Sequence, residues 1–211
     1  GSRAGMWSNM KKWKWMAGCL CLMAAGFSGC GQKSSVPDTL LRTAIAVSQK
    51  GAVTVYLVED FEKDYYSLQE LQEMAEGEVT EFYEENPSEE EKAVVLESVE
   101  ETGENRVKLI YQYADWTAYE KFNENVFFYG TLEEAKSQGI SEEITLQAIS
   151  DGRVKTLEEL EKEKKARLLV TDVNADIYCK GRVLYASEGA ARKEDGSFSA
   201  EGTEALYLLI K

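Results

Sequence analysis

The chain has 211 residues, enough for one globular domain or at most two small ones. Its 44% hydrophobic share belongs to a chain with a core, not to a disordered one. The 24 Lys and Arg stand against 38 Asp and Glu, a net charge of −14 that leaves no dense cationic stripe for nucleic-acid phosphates. There is no histidine, which excludes Ser-His-Asp and Cys-His catalysis, histidine-ligated zinc and a histidine pH switch.

At the N-terminus, Lys11, Lys12 and Lys14 precede an uncharged apolar run over residues 15–29. As a helix that run measures about 22 Å, short of the roughly 30 Å hydrocarbon core of a bilayer. A basic start, a short apolar middle and small residues before Cys30 describe an export signal rather than a spanning helix. Met10 reads as the natural start, with Met6 as the alternative, and residues 1–5 as a cloning scar or an over-long start.

The segment Phe27-Ser28-Gly29-Cys30 resembles the lipobox of bacterial lipoproteins, with Phe27 where that family usually has an aliphatic residue. Met16-Ala17-Gly18-Cys19 matches locally as well but lies too close to Lys14 to leave an apolar stretch before it. The resemblance implies cleavage before Cys30, a diacylglycerol on its thiol, and anchorage at the extracytoplasmic face of a bacterial membrane. The part behind the signal resembles the small acidic lipoproteins in general and no particular family.

With the signal removed, Cys179 is the one cysteine left in the body, so no internal disulfide is expected there. Residues 1–29 hold Arg3, Lys11, Lys12 and Lys14 and no acid, so the remainder carries 20 basic against 38 acidic residues, or −18. Residues 30–39 are expected to be the lipidated cysteine and a polar, mobile tether, and residues 40–211 a single domain. A charge this far from zero suits a monomer and is repelled by anionic headgroups.

Along that domain, residues 43–47 and 52–58 are β-rich and separated by a plausible hairpin at 48–51. Ser67-Leu68-Gln69-Glu70 is a capping box. Leu68, Leu71, Met74, Ala75, Val79 and Phe82 then share one helical face up to Asn86-Pro87. A second hairpin joins 93–99 to 106–114, where Val107, Leu109, Tyr111 and Tyr113 alternate with Lys108, Ile110 and Gln112. A short helix over 115–123 and a strand over 126–129 follow. Thr131 and Thr156 each open another capping box, the second heading a helix to about Lys165, with a strand at 144–149 between them. The last third is β in character at 168–173, 176–179, 182–186 and 205–210, with turn signals at Lys180-Gly181 and Asp195-Gly196. The expectation is an α+β fold: a mostly antiparallel sheet built from hairpins, with two to four interspersed helices.

Candidates for chemistry are few. Tyr111, Tyr113, Trp116 and Tyr119 lie in an aromatic run that continues to Tyr129 and sits beside acids, a combination suited to sugar or peptide binding as well as to a core. Asp172, Asn174 and Asp176 match the opening ligands of a calcium loop, but Ile177 and Val183 stand where Gly and Glu are required. In a strand the three would merely share a polar face. Cys179 reads as a small buried hydrophobe. No cofactor motif or catalytic constellation is present. These readings lead to a lipid-anchored envelope module that binds a protein, peptide or glycan and no nucleic acid. The alternative is a histidine-free, carboxylate-based hydrolase of cell-wall glycans.

Overall fold

A computed structural model describes residues 36–61, 67–103, 105–201 and 204–211. The expected signal and lipobox, with Cys30, lie outside the described residues.

The described chain begins with the hairpin β1 (Ala44–Val47) and β2 (Val53–Asp60). Gly51 turns it with φ +90°, and a Cβ there would come within 3.1 Å of the Tyr129 ring. Helix α1 (Leu68–Glu85) starts on the expected capping box: the Glu70 N–H donates to Ser67 Oγ, and Glu70 Oε2 accepts from the Ser67 N–H. It buries Ala75 and Phe82 and ends at Asn86, ahead of Pro87. Strands β3 (Val94–Glu101) and β4 (Arg106–Tyr113) form the second hairpin, with a register shift between Leu96 and Ser98 that kinks the exposed edge.

Next come α2 (Trp116–Asn123), β5 (Phe127–Gly130), α3 (Leu132–Ser137) and β6 (Thr145–Ala148). Strand β7 (Val154–Thr156) leads directly into α4 (Leu157–Leu160), which is a single turn. The helix expected to reach Lys165 therefore stops early. Leu157 and Leu160 are its buried residues, and the following Glu-Lys run offers no further apolar position before Ala166 turns back on Glu163. Strands β8 (Arg167–Thr171), β9 (Asp176–Cys179), β10 (Val183–Ser187), β11 (Ala191–Arg192), β12 (Phe198–Ser199) and β13 (Leu206–Ile210) complete the chain.

The fold is α+β and strand-dominated, with two mostly antiparallel sheets. The first runs β11-β12-β9-β1-β2-β4-β3 and the second β5-β8-β13-β10-β6-β7. Strands β1 and β9 pair in parallel, Ala44 opposite Asp176 and Val47 opposite Cys179. The Lys180-Gly181 turn does not make a hairpin: it carries the chain from β9 in the first sheet to β10 in the second. Gly181 has φ +107°, and a Cβ on it would meet the Lys211 carbonyl oxygen at 2.9 Å.

The sheets face each other across one core in which Ile45, Val53, Leu109 and Ile177 of the first meet Phe127, Leu169, Leu206 and Leu208 of the second. Helix α1 packs on β3, and α2 bridges β5 to β3 and β4, so the two helices close one side of that core. The outer face of the second sheet is covered by α3 and α4 through Ala135, Leu157 and Leu160 against Phe128, Leu146, Leu168 and Leu209. On the outer face of the first sheet, Ala44, Ala46 and Tyr178 are covered by Val36 and Leu40. Val36, within the expected tether, is thus packed on the sheet.

Candidate functional site

Tyr111, Tyr113 and Tyr119 are 5%, 2% and 2% exposed. The inward alternation of β4 places the first two, and α2, capped by Asp115 on the Ala118 N–H, lays Tyr119 over them. The Tyr113 and Tyr119 rings meet edge to face at 5.2 Å, Tyr111 and Tyr113 stack at 6.3 Å, and Phe122 closes on both. Trp116 is half-buried against Phe128 at 5.3 Å. The aromatic run is therefore the side wall of the core, and a ligand would reach it after α2 had moved. Burial pushes the Tyr119 phenol up to about 12 and raises Tyr111 and Tyr113 further.

The three calcium-loop residues do not share a strand face. Asp172 and Asn174 lie in the loop between β8 and β9, and Asp176 begins β9. Asp172 accepts from the Val126 N–H at 3.1 Å, and Asn174 Oδ1 accepts from Arg42 at 2.8 Å. Asp176 is a buried carboxylate held between Lys193 Nζ at 2.8 Å and Arg42 Nε at 3.5 Å. Protein cations already occupy the position a metal would take. Beside it, Tyr178 donates its hydroxyl to Asp195 at 2.6 Å, and the Ser197 N–H and hydroxyl donate to the other Asp195 oxygen. These bonds, that from Tyr178 foremost, hold the Asp195 carboxyl below its ordinary range, while burial and the bond to Asp195 push Tyr178 up to about 12. The network ties β9 to the β11–β12 hairpin and to the segment leading into β1.

Among the described carboxyls, Glu59 and Glu78 are raised, burial being the larger cause in both. The charge that adds to each belongs to its own sequence neighbourhood, Asp60 and Glu81 respectively, and not to the other raised carboxyl. They do not behave as a dyad sharing a proton.

A concave feature lies at the end of the second sheet, where β6 begins, β10 ends and β13 begins. This open groove of about 480 Å³ is lined by Glu143, Glu188 and Glu204 with Tyr207, Ile144 and Thr145. Ser187 accepts the Tyr207 N–H at 3.0 Å and fixes the strand carrying the ring. The three carboxylates stand apart; no group of three or more acidic or sulfur ligands among the described residues converges as a metal site. The groove thus offers dispersed negative charge beside a half-buried tyrosine, which suits an extended cation better than a bare ion. Spacing gave no hint of it, because its acids come from three separate segments.

Cys179 keeps part of its surface exposed, and desolvation of its thiol pushes it up to about 12, so little thiolate is present near neutrality. No described helix is long and apolar enough to cross a membrane. No family model, curated protein or solved structure matches the chain.

Proposed function

We propose that the protein is a lipid-anchored, extracytoplasmic binding module that captures a cationic segment of an envelope partner, such as a lysine- or arginine-bearing peptide. The observation that carries this reading is the open groove with Glu143, Glu188 and Glu204 around Tyr207. A cation lying along it gains three carboxylates, and the polar rim at Thr145 and Ser187 accommodates a backbone. The lipobox at Cys30 supplies the location: two acyl chains, at about 0.8 kcal/mol per buried CH₂, hold a protein to a bilayer that one chain holds marginally.

Titration calorimetry of the domain with a lysine-rich peptide and its fully acetylated counterpart tests the binding reading. Binding of the first alone is expected, weakening about tenfold or more in Glu188→Gln/Glu204→Gln and in high salt. Equal binding of both peptides, or none, refutes it. Cell fractionation tests the anchor: wild type belongs in the membrane fraction, and Cys30→Ala is released or left unprocessed.

A further inference from the structure

We infer that the protein meets the lipid surface with the outer face of its first sheet, an orientation favoured by the short stretch of chain between Cys30 and Val36, the first residue the structure describes. The inference rests on the lipid anchor proposed above.

Val36, Leu40 and Tyr56 pack against the cluster of Ala44, Ala46 and Tyr178. Arg42 is fastened to Asn174 and Asp176, and the Thr43 hydroxyl accepts the Val58 N–H at 3.2 Å. The chain therefore joins the body on that face and runs along it into β1. Six residue steps separate Cys30 from Val36, and covalent geometry limits them to about 20 Å fully extended. A body of this size is about 40 Å across. If the α3 and α4 layer rested on the lipid, Val36 would sit above a helix layer and two sheets, about 30 Å or more from the headgroups. The chain cannot reach that far, whereas it reaches easily when the first sheet faces the lipid.

The face itself suits that position. Tyr56, Val58 and Ile110 are half-buried on it and Val95 is exposed. Leu41, on the docked segment beside it, is 77% exposed, the highest value among the exposed large aliphatic residues described. Lys108 and Arg106 share the face with Asp60, Glu97 and Glu100, Lys108 lying 3.4 Å from Glu100, so its charges nearly balance. Helix α1, with seven glutamates in eighteen residues and no basic one, packs on the other side of that sheet. The most repulsive element is thereby kept off an anionic leaflet. The acidic groove belongs to the second sheet and stays open to a partner.

The test uses the lipidated protein in phosphatidylcholine–phosphatidylglycerol vesicles that carry a nitroxide on the headgroup. In a Cys179→Ser background, a dye is attached at Gln112→Cys, on the proposed lipid face, or at Glu158→Cys, on α4. Quenching at least about threefold stronger at position 112 is expected from the thickness of the intervening layers. Inserting about 20 Gly and Ser residues after Gly31, a coil of roughly 25 Å, is expected to bring the two positions close to equal. Equal quenching with the native tether, or stronger quenching at 158, overturns the orientation. A difference that survives the insertion overturns the tether as its cause. If wild type fractionates as soluble with a free Cys30 thiol, the anchor reading fails by itself. The reach limit is then tested on the same chain coupled through Cys30 to a maleimide phospholipid, where equal quenching at the two positions refutes it independently.

Discussion

The side chain of Asp176 is 7% exposed, while its partners Arg42 and Lys193 keep 37% and 39%, so removing the anion and removing the cations are different perturbations. In Asp176→Ala both cations turn to water, and the loss is the attraction plus a small cavity, about 1–2 kcal/mol. In Arg42→Met/Lys193→Met the carboxylate stays buried. Its Oδ2 loses the 2.8 Å bond from Lys193, and its Oδ1, which makes no hydrogen bond, loses the guanidinium. An uncompensated buried charge of this kind costs about 3–5 kcal/mol. For a domain of this size that places the double variant about 5–10 °C below Asp176→Ala in melting temperature, with Lys193→Met between them. Urea unfolding followed by circular dichroism at neutral pH measures all three. A double variant as stable as Asp176→Ala would refute the view that burial of the carboxylate, rather than the strength of its ion pairs, dominates at this site.

The Tyr83 hydroxyl reaches both the carbonyl oxygen and the N–H of Val94, at 2.8 and 3.0 Å, so Tyr83→Phe should cost about 1–3 kcal/mol in chemical denaturation by leaving that backbone pair unmet. A neutral result would mean that water replaces the hydroxyl. The raised phenols of Tyr119 and Tyr178, both at about 12, keep their full contribution below the ordinary value of 10 and lose it as pH climbs toward 12. Cys179 acts with the same sign from 9 upward. Alkaline melts should therefore fall steeply over that window, with phenolate absorbance rising together with unfolding. At the acid end, depressed Asp195 stabilises the fold above the ordinary carboxylate range and loses that contribution as pH falls through its own lower value. The acid limb of Asp195→Asn should accordingly be flatter. Starting the chain at residue 39 instead of 36 removes the packing of Val36 against the Ala44, Ala46 and Tyr178 cluster, and should lower stability by about 1 kcal/mol; identical melts would show that this packing contributes nothing.

Features closed by neighbours in the chain are legible from the residues alone. The capping boxes at Ser67, Thr131 and Thr156 form as expected, because a cap needs a partner three residues away and nothing else. The hairpins β1–β2 and β3–β4 follow for the same reason: a short turn brings each pair of strands together, although the bulge between Leu96 and Ser98 shifts the β3 register in a way alternation does not show. What depends on distant partners is not legible in this way. The two-residue β11 and β12 are strands only because β9 offers an edge to pair with. The Lys180-Gly181 turn looks local, yet whether it folds β10 back on β9 or sends it to the other sheet depends on β1 claiming the neighbouring edge in parallel. The aromatics from Tyr111 to Tyr129 carry the same pattern whether they floor a pocket or wall a core, and α2 lying across them decides for the core. The groove acids Glu143, Glu188 and Glu204 resemble any other surface glutamate until β6, β10 and β13 bring their ends together. Sequence by itself determined the caps, the local hairpins and the acidity. Tertiary structure decided which strands share a sheet, which aromatics are sealed and where the chain joins the body, because those outcomes depend on contacts between residues far apart in the chain, and no local periodicity encodes them.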